Sequence, residues 1–220
     1  VVNLGQAGGG GGGGREGDEE GEGEASAHMQ ASVNNLHHVL KYMIEKRFTT
    51  PNMLCVYGGG FHGCVLGVAL TKFPSLFGSM YVEDGVYDMV RYNDLNPPYT
   101  DLSQGTHRPH TYDYTDTTWY GLYGHVQDGE GEMVRILNLS PIHNVDSLGH
   151  TAAMPSHASS HPAVYLHATL PPKGCRWGNS VHPAHSLRFA AQLQSVYGTS
   201  DALVWSCTMA AIIYIYLIYF

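Results

Sequence analysis

The residues whose spacing best suits chemistry are the glycines of the segment GGGFHG at positions 58–63. A short apolar run, residues 53–57, precedes them and is typical of a strand buried on both faces. The uncharged small and apolar residues 64–70 that follow predict a helix. A strand, a glycine turn and a helix in this order bring backbone or a side chain to the carboxyl edge of a parallel sheet, where ligands bind. We therefore expect a functional site at this turn.

Two kinds of site are compatible with the turn. One is the nucleophile elbow, G-x-S-x-G, in which a strained turn exposes a serine above the sheet. The other is the dinucleotide fingerprint G-x-G-x-x-G, which Gly58, Gly60 and Gly63 satisfy. Glu83 and Asp84 follow about 20 residues later, where an acid that binds ribose is expected in dinucleotide-binding proteins. The glycines alone do not decide between the two.

Further motifs surround the turn and continue along the chain in three later islands. Around the turn the motif residues are Gln30, Val33-Asn34-Asn35-Leu36, Tyr42-Met43-Ile44, Thr49-Thr50-Pro51, Leu54, Gly58-Gly59, Gly63, Pro74-Ser75-Leu76-Phe77-Gly78 and Gly85-Val86-Tyr87-Asp88-Met89. The later islands are Trp119-x-x-x-Tyr123-Gly124, Ser140-Pro141-Ile142-His143-Asn144-Val145 and Val181-x-Pro183-x-His185-Ser186-Leu187-Arg188-Phe189. In type and order, these motifs resemble those of the prolyl oligopeptidase family.

The resemblance implies a fold and an activity. Prolyl oligopeptidases are serine peptidases, so it implies a partial α/β-hydrolase fold, with a mostly parallel sheet flanked by helices. It also implies hydrolysis of short peptides after proline by serine acylation, without a cofactor. By the same resemblance Trp119 stacks on the substrate proline, and short proline-containing peptides are the expected partners. A dinucleotide site would account only for the glycine turn, so a dinucleotide-binding oxidoreductase domain is the third hypothesis.

The catalytic residues of the family are not matched here. In the register without gaps the nucleophilic serine corresponds to Gly60, and a shift of one residue places Phe61 there. Such a hydrolase needs an oxygen nucleophile and a histidine base oriented by a carboxylate, and neither glycine nor phenylalanine can attack a carbonyl. No Asp or Glu occurs between Asp146 and Asp201, and no histidine follows His185. No catalytic residue can therefore be assigned.

The leading hypothesis is an inactive fragment or pseudoenzyme of this family. The chain begins at Val1, and its 220 residues leave no room for the β-propeller that the family carries, so we expect a fragment. The alternative is a non-catalytic protein that binds proline-containing peptides or acts as a scaffold.

Charge and histidine content bear on other partners. A net charge of −8 with 11 Lys and Arg residues argues against a nucleic-acid partner. Fourteen histidines raise the question of a metal, with Cys175, His182 and His185 as one candidate group and His157 and His161 as another. Their spacing matches no zinc pattern, so we expect no metal and scattered surface histidines.

The cysteines and the carboxyl terminus bear on location. The four cysteines form no C-x-x-C motif, and Cys55 and Cys64 fall in the expected core, which predicts reduced thiols in a cytoplasmic protein. Residues 202–220 carry no charge and are long enough to span a bilayer, so a tail-anchored membrane protein is the alternative. Membrane contact is expected only through this segment. Its alternating Ile and Tyr residues favour an altered core strand instead.

These observations divide the chain into three segments. They are a disordered Gly/Glu-rich segment over 1–28, the partial hydrolase domain over 29–200 and the apolar tail over 201–220. Hydrophobic periodicity predicts helices over 30–46 and 185–197 and strands over 79–82 and 163–168. Residues 93–118 show no period and are expected to be an insertion.

Overall fold

The structure of the protein is a computed structural model that describes residues 24–95, 126, 129–146, 162–170, 181–197 and 203–209. The helices in this part of the chain are α1 (Glu24–Glu45), α2 (Gly60–Lys72), α3 (Tyr92–Leu95), α4 (Glu130–Leu139) and α5 (Ala184–Tyr197). The strands are β1 (Cys55–Gly59), β2 (Ser79–Glu83), β3 (Ala163–Leu170) and β4 (Leu203–Met209). Short 3-10 turns span Pro51–Met53, Pro74–Leu76 and Pro141–Asn144.

The strands form one parallel sheet in the order β1-β2-β3-β4. Its register places Tyr57 beside Tyr81, Tyr81 beside Tyr165, and Tyr165 beside Val204. Parallel neighbours need a crossover connection, and α2 lies in the crossover from β1 to β2, as α5 does in that from β3 to β4. A parallel sheet with flanking helices confirms the predicted α/β class.

The described helices pack against one face of the sheet. One hydrophobic core cluster unites alternate strand residues with helix residues, namely Val56, Met80, Val82, Val164 and Leu166 with Met29, Val33, Leu36, Leu70, Phe189 and Leu193. The strand residues between them point to the other face, where Tyr57 is 66% exposed. The prediction that the first strand is buried on both faces is wrong, because the described elements cover only one of them. Cys64 is buried as predicted, whereas Cys55 is exposed on the uncovered face and is not a core residue.

A cluster of polar residues, all buried except the partly exposed Arg188, joins the loop after β2 to α5 and to the Pro141–Asn144 turn. We call it the polar node, and it consists of Tyr87, Asp88, Ser140, His185 and Arg188. The Asp88 side chain has no exposed surface, and its carboxylate is paired with the Arg188 guanidinium. Because an unpaired buried carboxylate is costly, this pairing fixes α5 against the loop.

The remaining groups of the node satisfy backbone atoms of the same loop. The Ser140 hydroxyl donates to the Tyr87 carbonyl at 3.3 Å and accepts the Met89 N–H at 3.1 Å. His185 Nδ1 accepts the N–H groups of Asp88 and Tyr87 at 3.2 and 3.4 Å. Burial, followed by the effects of His182 and Arg188, lowers the pKa of His185 to about 3. The imidazole is therefore neutral at physiological pH and acts as an acceptor.

Several boundaries differ from the predicted ones. Helix α1 begins at Glu24 and so extends into the segment expected to be disordered, because Glu and Ala are good helix formers even without an apolar pattern. Strand β1 begins at Cys55 rather than at residue 53, because the Pro51–Met53 turn leaves Met53 80% exposed. Helix α2 begins at Gly60 rather than at residue 64, because the chain turns within a single residue.

Strand β4 (Leu203–Met209) lies inside the predicted apolar tail and pairs with β3. The alternating Ile and Tyr residues on which the strand interpretation of the tail rests follow it and lie outside the described residues, so that interpretation stays a prediction. Within the described ranges, no helix combines the length and the apolar character that a bilayer span requires. Residues 1–23, 96–118 and 210–220 lie outside the described residues.

The polar node predicts a specific pH dependence of stability. The unfolded His185 binds a proton near pH 6.5 and the folded one near pH 3, so the unfolded state binds more protons between these values. The contribution of His185 to the free energy of unfolding is then fully present above about pH 6.5, and it falls as the pH is lowered towards 3. His185→Asn, whose Oδ1 can accept the same N–H groups without titrating, should flatten this part of the profile in urea unfolding series.

The matched control is His38→Asn, because His38 is exposed on α1. It should keep the wild-type profile between pH 3 and 6.5. An unchanged profile in His185→Asn would show that the His185 imidazole is not held neutral in the folded state.

Candidate functional site

The apex of the turn between β1 and α2 is Gly60. Gly60 has φ +53°, the left-handed region that side-chain-bearing residues rarely adopt, and it lies between strand residue Gly59 and helix residue Phe61. A Cβ placed on Gly60 would meet no heavy atom within 4 Å. This is the strained, outward-facing position that a nucleophile elbow gives to its serine. Between the two predicted registers, the geometry favours Gly60 over Phe61.

Close packing around the apex accounts for the other glycines. A Cβ on Gly63 would lie 2.6 Å from Val82 Cγ1 and 2.8 Å from Gly85 Cα, so α2 can approach β2 only with glycine there. A Cβ on Gly59 would lie 2.9 Å from the Glu83 carbonyl oxygen. The close packing of strand, turn and helix therefore requires these glycines, whether or not a ligand binds at the turn.

The residues after the apex do not supply a nucleophile. Phe61 packs against the hydrophobic core, and the ring of His62 contacts it at a centroid distance of 5.7 Å. The Cys64 side chain has no exposed surface, and burial raises the pKa of its thiol far above the ordinary value. A buried protonated thiol is inert, since the thiolate is the attacking form. Cys64 is thus a packing residue, as predicted.

Both acids expected to bind ribose in a dinucleotide site are engaged elsewhere. The Glu83 carboxylate accepts the hydroxyls of Tyr57 at 3.2 Å and Tyr81 at 3.0 Å, on the face of the sheet opposite α2. The Asp84 carboxylate accepts the backbone N–H of Thr169 at 2.7 Å and its hydroxyl at 2.9 Å, which ties the end of β2 to β3. This geometry argues against the dinucleotide hypothesis.

The start of α2 is the other part of the turn that bears on chemistry. No side chain of Gly59 caps this helix, and the first N–H groups of any helix have no partner within it. In an elbow, the N–H of the residue after the nucleophile, here Phe61, is a donor of the oxyanion hole. The turn thus has the strand–turn–helix order of an elbow, but its apex residue, Gly60, carries no side chain.

The other predicted site residues lie mostly outside the described part of the chain. Trp119, the residue expected to stack on proline, and the candidate metal ligands Cys175, His157 and His161 all belong to undescribed segments. His182 is described, and its Nδ1 accepts the N–H of Ala184 at 3.1 Å, at the start of α5. The Trp119 and metal predictions therefore stay predictions.

Sequence reasoning did not anticipate the polar node. Its members come from three separate motif regions, those containing Asp88, Ser140 and His185, which the fold brings into contact. The sequence does contain a signal for this cluster, because each of the three motifs has a polar residue between apolar ones. Polar residues in such positions are buried on folding and require polar partners. The shared motifs in these regions thus form a scaffold beside the turn.

The chain is similar in sequence to known proteins of one family. The sequence profile described as the prolyl oligopeptidase family matches residues 6–206. A prolyl endopeptidase of Dictyostelium discoideum is 26% identical over 160 residues, which make up 72% of this chain and 16% of that protein. The chain thus spans about a sixth of the length of that curated relative.

Solved structures show the same fold. The post-proline cleaving enzyme from Rickettsia typhi superposes with a TM-score of 0.57 at 20% identity, covering 86% of this chain and 21% of the enzyme. Prolyl oligopeptidase B from Galerina marginata, bound to a 25mer macrocyclization substrate, superposes with a TM-score of 0.58 at 17% identity, covering 86% and 22%.

The different surroundings of the glycines predict different costs of substitution. Gly60→Ser places a side chain in open space, so it should lower the free energy of unfolding only through the left-handed backbone, by about 1–2 kcal/mol. Gly63→Ala forces apart α2 and β2 and should cost about 3 kcal/mol, at the upper end for overpacking. Urea unfolding measures both free energies.

Gly131→Ala is the control, since a Cβ at this α4 position meets nothing within 4 Å, and it should not reduce stability. An equal loss in Gly60→Ser and Gly63→Ala would contradict the open apex at residue 60.

Proposed function

Because this chain belongs to the prolyl oligopeptidase family, we propose that it is a non-catalytic member that keeps part of the hydrolase scaffold without the acyl-transfer chemistry. The observation that supports this most directly is Gly60, which occupies the apex of an elbow-like turn without a side chain. Serine acylation begins with attack by an oxygen at that place. The hydrogen atom that glycine carries in place of a side chain cannot act as this nucleophile.

The sequence supports the same proposal at the other two catalytic positions. The segment that should carry the triad carboxylate contains no acid between Asp146 and Asp201, and no histidine follows His185. His185 itself cannot serve as the base, because its Nδ1 is used inside the polar node and its lowered pKa reflects burial away from solvent. Loss of one triad residue costs several powers of ten in rate, and loss of all three costs little more.

Binding of proline-containing peptides is the function that such a scaffold can retain. The Trp119-x-x-x-Tyr123-Gly124 motif falls within the matched range 6–206, and the Galerina marginata relative was solved with a peptide substrate. An indole offers a flat apolar surface for a proline ring and does not depend on the triad. We therefore propose short proline-containing peptides as ligands that are bound and not cleaved.

A reducing compartment such as the cytoplasm is the location that we propose. Cys55 and Cys64 are both free thiols, and neither has a disulfide partner among the described residues. Free cysteines of this kind are typical of proteins in reducing compartments.

The first test is turnover of a chromogenic prolyl amide by the purified chain. We expect no product above the buffer rate and no labelling by a serine-directed phosphonate, because the attacking oxygen is missing. Gly60→Ser should remain inactive, since a serine without a histidine base is a weak nucleophile. Turnover that disappears when another Ser, Thr or Cys is replaced would refute the proposal.

The second test is calorimetric binding of a short proline-containing peptide. Trp119→Ala should weaken binding by about ten-fold or more, in line with the loss of an aromatic contact of about 1.4 kcal/mol. Trp177→Ala is the matched control, because Trp177 lies outside the motif and should leave the affinity unchanged. Equal effects of both substitutions, or no binding by the wild type, would contradict a retained proline site.

A further inference from the structure

The carboxyl-terminal end of α1 carries a cluster of exposed aromatic and basic residues. We call it the basic corner, and it consists of Tyr42, Lys46, Arg47 and Phe48. The ring centroids of Tyr42 and Phe48 are 6.2 Å apart, and Lys46 Nζ lies 5.8 Å from the centroid of the Tyr42 ring. Tyr42 is 54% exposed and Phe48 is 69% exposed. The corner thus combines positive charge with two aromatic rings in contact with water.

The backbone of the basic corner is held in a conformation that favours glycine. Arg47 has φ +58°, and the residue that follows a helix in this left-handed region is most often glycine. The turn is closed by two hydrogen bonds, in which the Arg47 N–H donates to the Ile44 carbonyl at 2.9 Å and the Phe48 N–H donates to the Met43 carbonyl at 3.0 Å. Glycine would relieve the strain, so stability alone does not account for an arginine at this position.

The end of the helix explains only part of this composition. Cations beside the last carbonyl groups of a helix are stabilised by its dipole, which accounts for Lys46 and Arg47. The dipole gives no reason for aromatic rings in water, and clustered apolar side chains at a surface mark contact sites. Of the six large apolar side chains that are exposed in the described part of the chain, three fall within residues 42–53, because Met53 is also 80% exposed.

The positive charge of the corner is not neutralised by its neighbours. Among the described residues, neither Lys46 nor Arg47 forms an ion pair. Residues 41–53 contain three cations and one acid, Glu45, although the whole chain has a net charge of −8. The corner is therefore a positive patch on an acidic protein, and it is complementary to a negatively charged partner.

The corner lies far from the glycine turn. It precedes β1, and the turn follows β1, so the two are at opposite edges of the sheet, separated by about 16 Å of strand. The Pro51–Met53 turn continues this edge, since a Cβ on Gly78, just before β2, would lie 2.7 Å from the Asn52 carbonyl oxygen. A partner bound at the corner leaves the turn accessible.

We propose that the basic corner docks on a membrane surface that contains anionic phospholipids. Its rings project from the protein, and a bilayer receives projecting side chains at the boundary between headgroups and acyl chains without needing a groove. Lysine and arginine place their apolar stems along the same boundary and their charged ends at the headgroups. Anionic lipids are concentrated in the cytoplasmic leaflet, which is the one that the proposed cytoplasmic location presents.

This contact differs from a tail anchor, because no segment crosses the bilayer. It does not depend on catalytic activity or on the binding of proline-containing peptides.

Flotation of the purified full chain with vesicles tests the proposal, because aggregated protein does not float. The vesicles are phosphatidylcholine with and without phosphatidylserine. We expect flotation only when phosphatidylserine is present, and less of it as NaCl is added, because salt screens exposed charges. Lys46→Gln combined with Arg47→Gln should weaken binding about 25-fold, at about five-fold for each cation.

The matched control combines Lys72→Gln with Arg91→Gln. Both residues are exposed and lie outside the corner, and the pair changes the net charge by the same amount. It should change binding far less than the substitutions at Lys46 and Arg47.

The aromatic contribution is tested by Phe48→Ser, which should weaken binding about ten-fold because a buried ring is lost from the lipid boundary. Val134→Ser is its control, since Val134 is 51% exposed on α4 and should leave binding unchanged.

Arg47→Gly separates the proposed role from a structural one. It should raise the urea concentration at the midpoint of unfolding, because glycine adopts the left-handed conformation without strain. It should also weaken vesicle binding about five-fold, since one cation is lost. A purely structural role for Arg47 would change the midpoint alone.

Three results would overturn the proposal. Equal flotation with both kinds of vesicle, unchanged by the Lys46 and Arg47 substitutions, would assign membrane contact to another part of the chain. Retention on immobilised poly-glutamate without flotation would assign the corner to an acidic protein. Absence of both would show that the corner binds no anionic surface.

Discussion

The pairing of Asp88 with Arg188 is the interaction on which the rest of the structure depends. Asp88 is fully buried, so its charge must be compensated within the protein, and the Arg188 guanidinium of α5 supplies that compensation. The Arg91 N–H adds a second bond to the same carboxylate, at 3.1 Å. Once this pair has formed, Tyr87 stacks on Phe189 with ring centroids 4.3 Å apart, and Gly67 of α2 packs against Tyr87. The pair thus sets the position of the helix layer over the sheet.

This arrangement separates the residues that hold the fold from those that would perform catalysis. None of the contacts described for the polar node, or for the glycine packing around Gly63, involves a group at the apex of the turn. A family member can therefore lose its attacking oxygen and keep its architecture, because none of the node contacts passes through residue 60. The same separation is compatible with a match to the family over residues 6–206 in a chain that has glycine at the apex.

Sequence reasoning predicted the architecture better than it predicted the details. The order of strand, glycine turn and helix around Gly60 was recovered because apolar runs and glycines report backbone geometry directly. The sequence does not decide between Gly60 and Phe61 at the apex, since only the backbone dihedral angle separates the two registers. The sequence does not predict the exposure of Tyr57 and Cys55, because a short apolar run has the same residue pattern whether one face of the strand or both faces are covered. The polar node depends on contacts between residues about a hundred positions apart, such as Asp88 and Arg188, which no local pattern contains.

Strand β1 has a neighbour on one side only among the described strands, so every second N–H and carbonyl group along its outer margin lacks a ladder partner there. The strand contains no proline, lysine or bulge that would discourage pairing. A further strand, from a longer polypeptide or from another molecule, can therefore extend the sheet beyond β1 by main-chain hydrogen bonds alone. Such pairing would need no side-chain complementarity, because the groups that form it belong to the backbone.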